Sequence, residues 1–120
     1  MKKINLAITG CLGRMGKQLI KSSQSDKDFK LVALTERKKI NIKIAGITPQ
    51  LNTLEAFKKA SVIIDFTYPK CTLDVLRLAV KLKKKVVIGT TGFTNKQEKL
   101  IKNYSKKNFN FKSGKYEFRC

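Results

Sequence analysis

Short apolar runs alternate with longer amphipathic stretches along the 120 residues of this chain. Nearly continuous apolar runs predict strands that are buried on both faces, and they lie at 3–9, 29–35, 61–66, 85–89 and 108–111. Apolar residues at helical spacing predict helices at 14–25, at 72–84 and from Thr94 onward, where Gln97 completes a capping box. This alternation predicts an α/β fold with a doubly wound parallel sheet.

The stretch between the second and third predicted strands is less regular. Residues 38–50 carry isoleucines at alternate positions, which favours a short strand, but Gly46 and Pro49 interrupt it. Asn52 or Thr53 is then expected to cap a short helix.

The turn after the first predicted strand reads G-C-L-G-R-M-G at 10–16. Gly10 lets the chain leave the strand tightly, Gly13 lets the backbone approach a pyrophosphate, and Gly16 lets the helix pack on the sheet. Phosphates then sit on the free N–H groups of the helix amino end. Glu36 follows Gly16 by 20 residues, where Rossmann-like folds place the carboxylate that binds a ribose. The pattern predicts a dinucleotide site.

The residues around Glu36 bear on the choice of cofactor. A carboxylate favours the 2′-hydroxyl of NAD, whereas Arg37, followed by Lys38 and Lys39, can hold the 2′-phosphate of NADP. We therefore expect the site to use both NADH and NADPH. Arg14 either faces the pyrophosphate or is a solvated residue of the first helical turn.

Two further turns are rich in glycine and threonine and follow predicted strands. D-F-T at 65–67 follows the third strand, and G-T-T-G at 89–92 follows the fourth. Because ligands of open parallel sheets bind outside the carboxyl ends of the strands, these turns and the first one are expected to form the floor of one cleft. Asp65 is more typical of a loop cap than of a catalytic base.

Composition excludes several classes of chemistry. The chain has no histidine, so imidazole catalysis and histidine–metal ligation are impossible within it. Its three cysteines show no C-x-x-C spacing, which predicts neither a disulfide framework nor a metal site. The net charge of +19 comes from lysines spread along the chain, which favours a solvated basic surface over a nucleic-acid site. No apolar run is long enough for a membrane span, and we expect a cytoplasmic protein.

Four segments together resemble the 4-hydroxy-tetrahydrodipicolinate reductase family: G-C-L-G-R-M-G at 10–16, T-E-R at 35–37, D-F-T-Y-P at 65–69 and V-I-G-T-T-G-F at 87–93. The resemblance implies NADH- or NADPH-dependent reduction of a cyclic intermediate in the diaminopimelate route to lysine, by an enzyme that is usually a homotetramer. It places Phe66 and Thr67 near the nicotinamide. The implied cofactor-binding residues are Gly10, Cys11, Leu12, Gly13, Arg14, Met15, Glu36, Arg37, Phe66, Thr67, Gly89, Thr90 and Thr91.

The chain also departs from that family. The family's substrate domain, with its histidine pair and catalytic lysine, is absent, so we expect a truncated chain that carries no catalytic residue and is inactive alone. We expect a dinucleotide-binding domain at 1–114 and an out-of-frame tail at 115–120. One extra A after the codon of Gly114, in an AT-rich gene, turns the family's G-N-M-S-L-G-V into the G-K-Y-E-F-R-C found here.

Two other interpretations remain open at this point. The chain can be the cofactor domain of another two-domain dehydrogenase, such as a homoserine or aspartate dehydrogenase, or a non-enzymatic basic Rossmann-like binding module. The R-M-G element at 14–16 and the G-T-T-G-F element at 89–93 argue against the first of these. Salt-dependent binding to unrelated DNA, unaffected by NADH, would favour the second.

Overall fold

A computed structural model describes residues 3–107 of the chain. Four strands alternate with four helices, in the order β1 (Ile4–Thr9), α1 (Arg14–Gln24), β2 (Phe29–Thr35), α2 (Leu54–Phe57), β3 (Val62–Asp65), α3 (Pro69–Leu82), β4 (Lys85–Ile88) and α4 (Asn95–Lys107). The four strands predicted within this range are all present. The predicted strand at 108–111 and the tail at 115–120 lie outside the described residues.

All strand pairs in the sheet are parallel, and the strand order is β2-β1-β3-β4. Thr9 at the end of β1 pairs with Thr35 of β2 on one side and with Asp65 of β3 on the other. Asp65 in turn pairs with Ile88 at the end of β4. The strands therefore finish level with one another, at an edge that we call the carboxyl edge. The opposite end of the sheet is the amino edge.

Helices cover both faces of the sheet, which confirms the doubly wound arrangement. Leu6 and Ile8 of β1 pack with Ile20 of α1 on one face. Ala7, between them, points to the other face, where it packs with Val75 and other residues of α3. The α3 face has the larger core, to which α2 and α4 also contribute through Phe57 and Ile101 respectively.

Helix α3 begins three residues earlier than the apolar spacing predicted. Pro69 stands in its first turn, where the missing N–H has no helical partner to lose, and Tyr68 is the N-cap. The helix ends at Leu82 because Lys83 adopts a left-handed conformation with φ of 56°. The capping box at the start of α4 is formed: the Thr94 N–H donates to Gln97 Oε1 (2.8 Å), and the Gln97 N–H donates to Thr94 Oγ1 (3.1 Å).

Residues 38–50 contain a tight turn in place of the short strand that their isoleucines favoured. Ile44 and Ile47 exchange two backbone hydrogen bonds (2.8 and 2.9 Å) around Ala45 and Gly46, both with positive φ. A two-residue hairpin turn of this kind requires positive φ at both central positions. Gln50 then pairs in parallel with Thr35 as a single bridge beside β2.

The short helix α2 is capped by Thr53 and not by Asn52. The side-chain oxygen of Thr53 accepts a hydrogen bond from the Ala56 N–H at 3.1 Å, which is the standard N-cap contact. Among residues 3–107, no helix has the length and apolar character that crossing a bilayer requires.

Candidate functional site

The three glycine- and threonine-rich turns meet at the carboxyl edge, as their positions after β1, β3 and β4 predicted. The Thr67 N–H donates to Thr90 Oγ1 at 3.0 Å, which joins the second turn to the third. A Cβ atom on Gly10 would lie 2.9 Å from the Thr67 methyl group, so the first turn packs directly on the second. The Phe66 ring lies against the backbone of Gly89, in the space that a side chain there would fill.

The glycine turn has the close packing that its pattern requires. A Cβ atom on Gly16 would collide with the carbonyl oxygen of Gly10, so only glycine lets α1 start so close to the end of β1. Gly10 itself has a φ of 65°, the left-handed region that glycine enters without cost.

The amino end of α1 faces this edge without a side-chain cap. Gly13 is the N-cap, no side chain accepts a hydrogen bond there, and the first turn contains no acidic residue. The first N–H groups of a helix lack intrahelical partners, and the helix dipole makes this end partially positive. The geometry and the charge both suit a phosphate group.

Glu36 links the glycine turn to the end of β2. Its Oε2 atom accepts a hydrogen bond from the Leu12 N–H at 3.1 Å, and Oε1 accepts one from the Arg37 N–H at 3.0 Å. The Arg37 guanidinium lies over the Tyr68 ring, 5.7 Å from its centroid. This cation–π pair forms one wall beside the carboxylate.

These groups surround a cavity of about 270 Å³. The described residues that line it are Gly10, Gly13, Glu36, Arg37, Asn52, Phe66, Thr67, Tyr68 and Cys71. Six of them were predicted as cofactor residues. The sequence reasoning missed Asn52, Tyr68 and Cys71. Of these, only Tyr68 carried a visible signal, because it is an aromatic residue directly after the turn that follows β3.

The other predicted site residues lie around the cavity or below it. Gly89 and Thr90 contact two of the residues that line the cavity. The Phe66 ring packs against Gly89, and the Thr67 N–H donates a hydrogen bond to Thr90 Oγ1. Four more are exposed and are not among the described lining residues: Leu12, Arg14, Met15 and Thr91.

Cys11 differs from the rest, because its side chain is fully buried in the core beneath α1. Burial and the charge of Glu36 raise the pKa of the Cys11 thiol to about 11, although its own backbone hydrogen bond opposes the shift. Only the backbone of this residue is available to a ligand.

Asp65 lies beneath the turns and does not line the cavity. The carboxyl group is fully buried, and its Oδ1 atom accepts hydrogen bonds from the hydroxyls of Thr9 (2.6 Å) and Thr67 (2.7 Å). Burial raises its pKa, and hydrogen bonds from Thr72, Thr9 and Thr67 act in the opposite direction. A base must reach the proton that it abstracts, so this placement argues against a catalytic base.

Metal chemistry has no support in this part of the chain. Within residues 3–107, no three or more histidine, cysteine, aspartate or glutamate side chains come together in a group able to hold a metal ion. The cavity presents backbone N–H groups, hydroxyls, the Asn52 amide, the Cys71 thiol, one carboxylate and one guanidinium.

Comparison with known proteins identifies the family. Residues 4–115 match the family model described as dihydrodipicolinate reductase, N-terminus. The chain belongs to this family. The family match confirms the resemblance carried by the R-M-G and G-T-T-G-F elements. It decides against a fragment of homoserine or aspartate dehydrogenase.

The relatives are reductases by name and are longer than this chain. The 4-hydroxy-tetrahydrodipicolinate reductase of Pelagibacter ubique strain HTCC1062 is 69% identical over 106 residues, which cover 88% of this chain and 41% of the relative. The chain therefore spans about two fifths of that relative's length.

Solved structures show the same fold. The dipicolinate-bound dihydrodipicolinate reductase from Paenisporosarcina sp. TG-14 superposes with a TM-score of 0.72 at 27% identity, covering 88% of this chain and 44% of that one. A D-galactose-1-dehydrogenase from Rhizobium etli gives a TM-score of 0.68 at 24% identity, covering 89% of this chain and 35% of that one. The second likeness is one of fold alone, so the family rests on the sequence match.

Proposed function

We propose that this domain binds NADH or NADPH at the carboxyl edge, as the cofactor-binding part of a reductase in the diaminopimelate route to lysine. The observation that supports it most is the convergence on one cavity of an uncapped helix amino end and the carboxylate of Glu36. When bound, the dihydronicotinamide ring supplies the hydride, and the protein's part is to bind and orient it.

Different residues around the cavity would bind different parts of the dinucleotide. The N–H groups at the start of α1 would hold the pyrophosphate, with Gly13 leaving room for its approach. Glu36 would accept from the ribose hydroxyls. Phe66 and Thr67 would lie near the nicotinamide, together with the turn at 89–91.

We propose that both cofactors are used. The Glu36 oxygens already accept two backbone hydrogen bonds, which hold the carboxylate in place for the 2′-hydroxyl of NADH. Arg37 is exposed beside it and lies over Tyr68, within the same cavity wall, where it suits the 2′-phosphate of NADPH. The two residues therefore support one cofactor each.

The reaction of the whole enzyme is a further part of the proposal. Its substrate would be the cyclic intermediate named by the family, and acid catalysis would come from outside this chain, which contains no histidine. We expect the isolated chain to bind dinucleotide weakly and not to reduce that substrate.

Fluorescence titration of the 120-residue chain with NADH and NADPH tests the binding. Gly13→Ala is the informative variant: its φ is −72° and a Cβ atom there meets only the Gly10 carbonyl, at 3.4 Å, so the fold should tolerate the methyl group. The methyl group would stand where the pyrophosphate approaches. Loss of one good phosphate contact should weaken both cofactors about tenfold or more.

The matched control is Ser25→Ala, an exposed residue in the cavity at the amino edge. It should leave both affinities unchanged. The proposal fails if the wild-type chain binds neither dinucleotide, or if Ser25→Ala weakens binding while Gly13→Ala does not.

A further inference from the structure

A buried carboxyl group lies directly behind the turns of the cofactor cavity. Asp65 has no exposed surface, and the hydroxyls of Thr9 and Thr67 both donate to the same atom, Oδ1, while the Thr72 hydroxyl also faces the carboxyl group. The Oδ2 atom is buried and has no hydrogen-bond partner among the described residues. Half of this carboxyl group is therefore unsatisfied.

The charge of this group is also uncompensated. The chain has 27 lysines and arginines, yet within residues 3–107 none of them forms an ion pair with Asp65. Burying a carboxyl group without a cation costs stability, because neither water nor a partner replaces its hydration.

Its position suggests what it acts on. Thr67 donates its hydroxyl to Asp65 and its N–H to Thr90, and its methyl group packs on Gly10. The adjacent Phe66 ring packs on Gly89. Phe66 and Thr67 are the residues proposed to lie near the nicotinamide. The Thr67 hydroxyl therefore lies between the carboxyl group of Asp65 and that end of the cavity.

We propose that Asp65 is a positioning residue that favours the oxidised dinucleotide: its carboxyl group, acting from behind Thr67, attracts the positively charged ring of NAD⁺ and not the neutral ring of NADH. This inference rests on the proposed function. The same attraction favours the positive charge that develops on the ring when a hydride leaves it.

The attraction has a pH signature. Burial raises the pKa of Asp65, and a cation held nearby lowers it, so binding of NAD⁺ and ionisation of Asp65 promote each other. The affinity for NAD⁺ should rise with pH as the carboxyl group ionises, whereas the affinity for NADH should stay nearly constant.

The groups that face Asp65 do not titrate in the same range. Thr9 of β1, Thr67 after β3 and Thr72 of α3 present hydroxyls that stay neutral. The titratable neighbour is Cys71 of α3. Burial and the charge of Asp65 raise the pKa of its thiol above the ordinary 9.0, so it stays mostly protonated below pH 9.0.

The experiment measures the dissociation constants of NAD⁺ and NADH for the 120-residue chain and for Asp65→Asn, from about pH 5 to about pH 9. Asparagine retains an oxygen acceptor for Thr9 and Thr67 but carries no charge. At the upper end of the range, Asp65→Asn should weaken NAD⁺ about tenfold, because one attractive charge interaction at an intermediate dielectric constant is lost. NADH should change less than about twofold.

The ratio of the two constants separates this role from a structural one, because a loosened cavity would weaken both cofactors alike. Thr9→Val is the control: it removes one hydroxyl donor but leaves the carboxyl group, so at the upper end of the pH range, where the carboxyl group is ionised, the ratio should stay as in the wild type. If Asp65→Asn does not fold, the wild-type profile decides, and a ratio that is constant with pH overturns the inference.

The outcomes distinguish the two proposals. A wild-type chain that binds neither dinucleotide overturns the proposed function and this inference with it. A chain that binds both, with equal loss of NAD⁺ and NADH affinity in Asp65→Asn, overturns the inference alone.

Discussion

The two edges of the sheet each have a cavity, and the larger one is not at the edge where we propose the cofactor site. The amino-edge cavity has a volume of about 330 Å³ and is lined by polar residues such as Ser25 and Asp26. The carboxyl-edge cavity is about 270 Å³. Volume alone would select the amino edge, although dinucleotide sites of parallel sheets lie at the carboxyl ends of the strands.

The side chains that line the two cavities differ in the range of their hydrogen bonds. In the amino-edge cavity, Ser25 donates to the carbonyl of Ser22 and Asp26 accepts from the Asp28 N–H, contacts within one local turn. In the carboxyl-edge cavity, Glu36 accepts from the Leu12 N–H and Asn52 donates to Cys71 Sγ, across 24 and 19 residues of sequence. A cavity whose walls are tied together over such distances keeps its shape, and that preorganisation is what a ligand site needs.

The largest expected effect is the loss of folding stability caused by Gly16→Ala at the carboxyl edge. The new methyl group collides with the Gly10 carbonyl, which is backbone and cannot move aside as a flexible side chain can. Overpacking of this kind costs about 3 kcal/mol, or a decrease of about 10 °C in the melting temperature. Thermal unfolding followed by circular dichroism measures it.

Two further variants show whether so large a loss of stability is specific to Gly16. Gly13→Ala, in the same turn but with more room, should cost less than about 1 kcal/mol, and Ser25→Ala at the amino edge should cost about as little. A Gly16→Ala variant as stable as these two would show that the carboxyl edge is not closely packed and would remove the difference between the edges.

The sequence predicted the elements whose signals are local. The strands, the roles of Gly10 and Gly16, and the Thr94–Gln97 capping box all depend on residues within one turn or one strand. The start of α3 was missed because the prediction followed apolar spacing and gave no weight to Pro69, a strong signal for a first helical turn. The turn at 44–47 was missed because Ala45, with φ of 52°, is not a residue type that commonly adopts the left-handed conformation.

The site was predicted in its parts but not in its contacts. Topology places the ends of β1, β3 and β4 together, so convergence of the turns follows from the order of strands and helices. The contact between Arg37 and Tyr68, and the direction of the Cys11 thiol into the core, depend on side-chain packing between distant segments. No spacing rule along one segment encodes such packing.

The second-largest expected effect is on the reactivity of the Cys11 thiol. Cys11 belongs to the carboxyl-edge turn, but its side chain is fully buried. Because burial and Glu36 raise its pKa from 9.0 to about 11, the thiolate fraction at pH 8 falls about a hundredfold. Alkylation by iodoacetamide, followed at the Cys11 peptide by mass spectrometry, should be slower by at least that factor in the folded chain than in urea.

The raised pKa of Cys11 also predicts how folding stability changes with pH. The folded-state pKa lies above the unfolded one, so the favourable contribution of the thiol to stability is present below pH 9.0 and is lost as the pH rises towards about 11. Stability should therefore fall over this range in the wild type more than in Cys11→Ala. Equal alkylation rates in the folded chain and in urea would mean that the turn opens readily, contrary to the close packing of this edge.

The smallest effect concerns the rim of the same cavity, where Tyr68 is partly exposed beneath Arg37. A cation–π contact at such a site is worth about 0.5–1 kcal/mol, so Tyr68→Leu should weaken NADPH about two- to fivefold by releasing the guanidinium from its position. Tyr68→Phe keeps the ring and should bind NADPH as the wild type does, and NADH affinity should change little in either variant. Equal weakening of NADH and NADPH by Tyr68→Leu would instead mean that the ring contacts a part common to both dinucleotides.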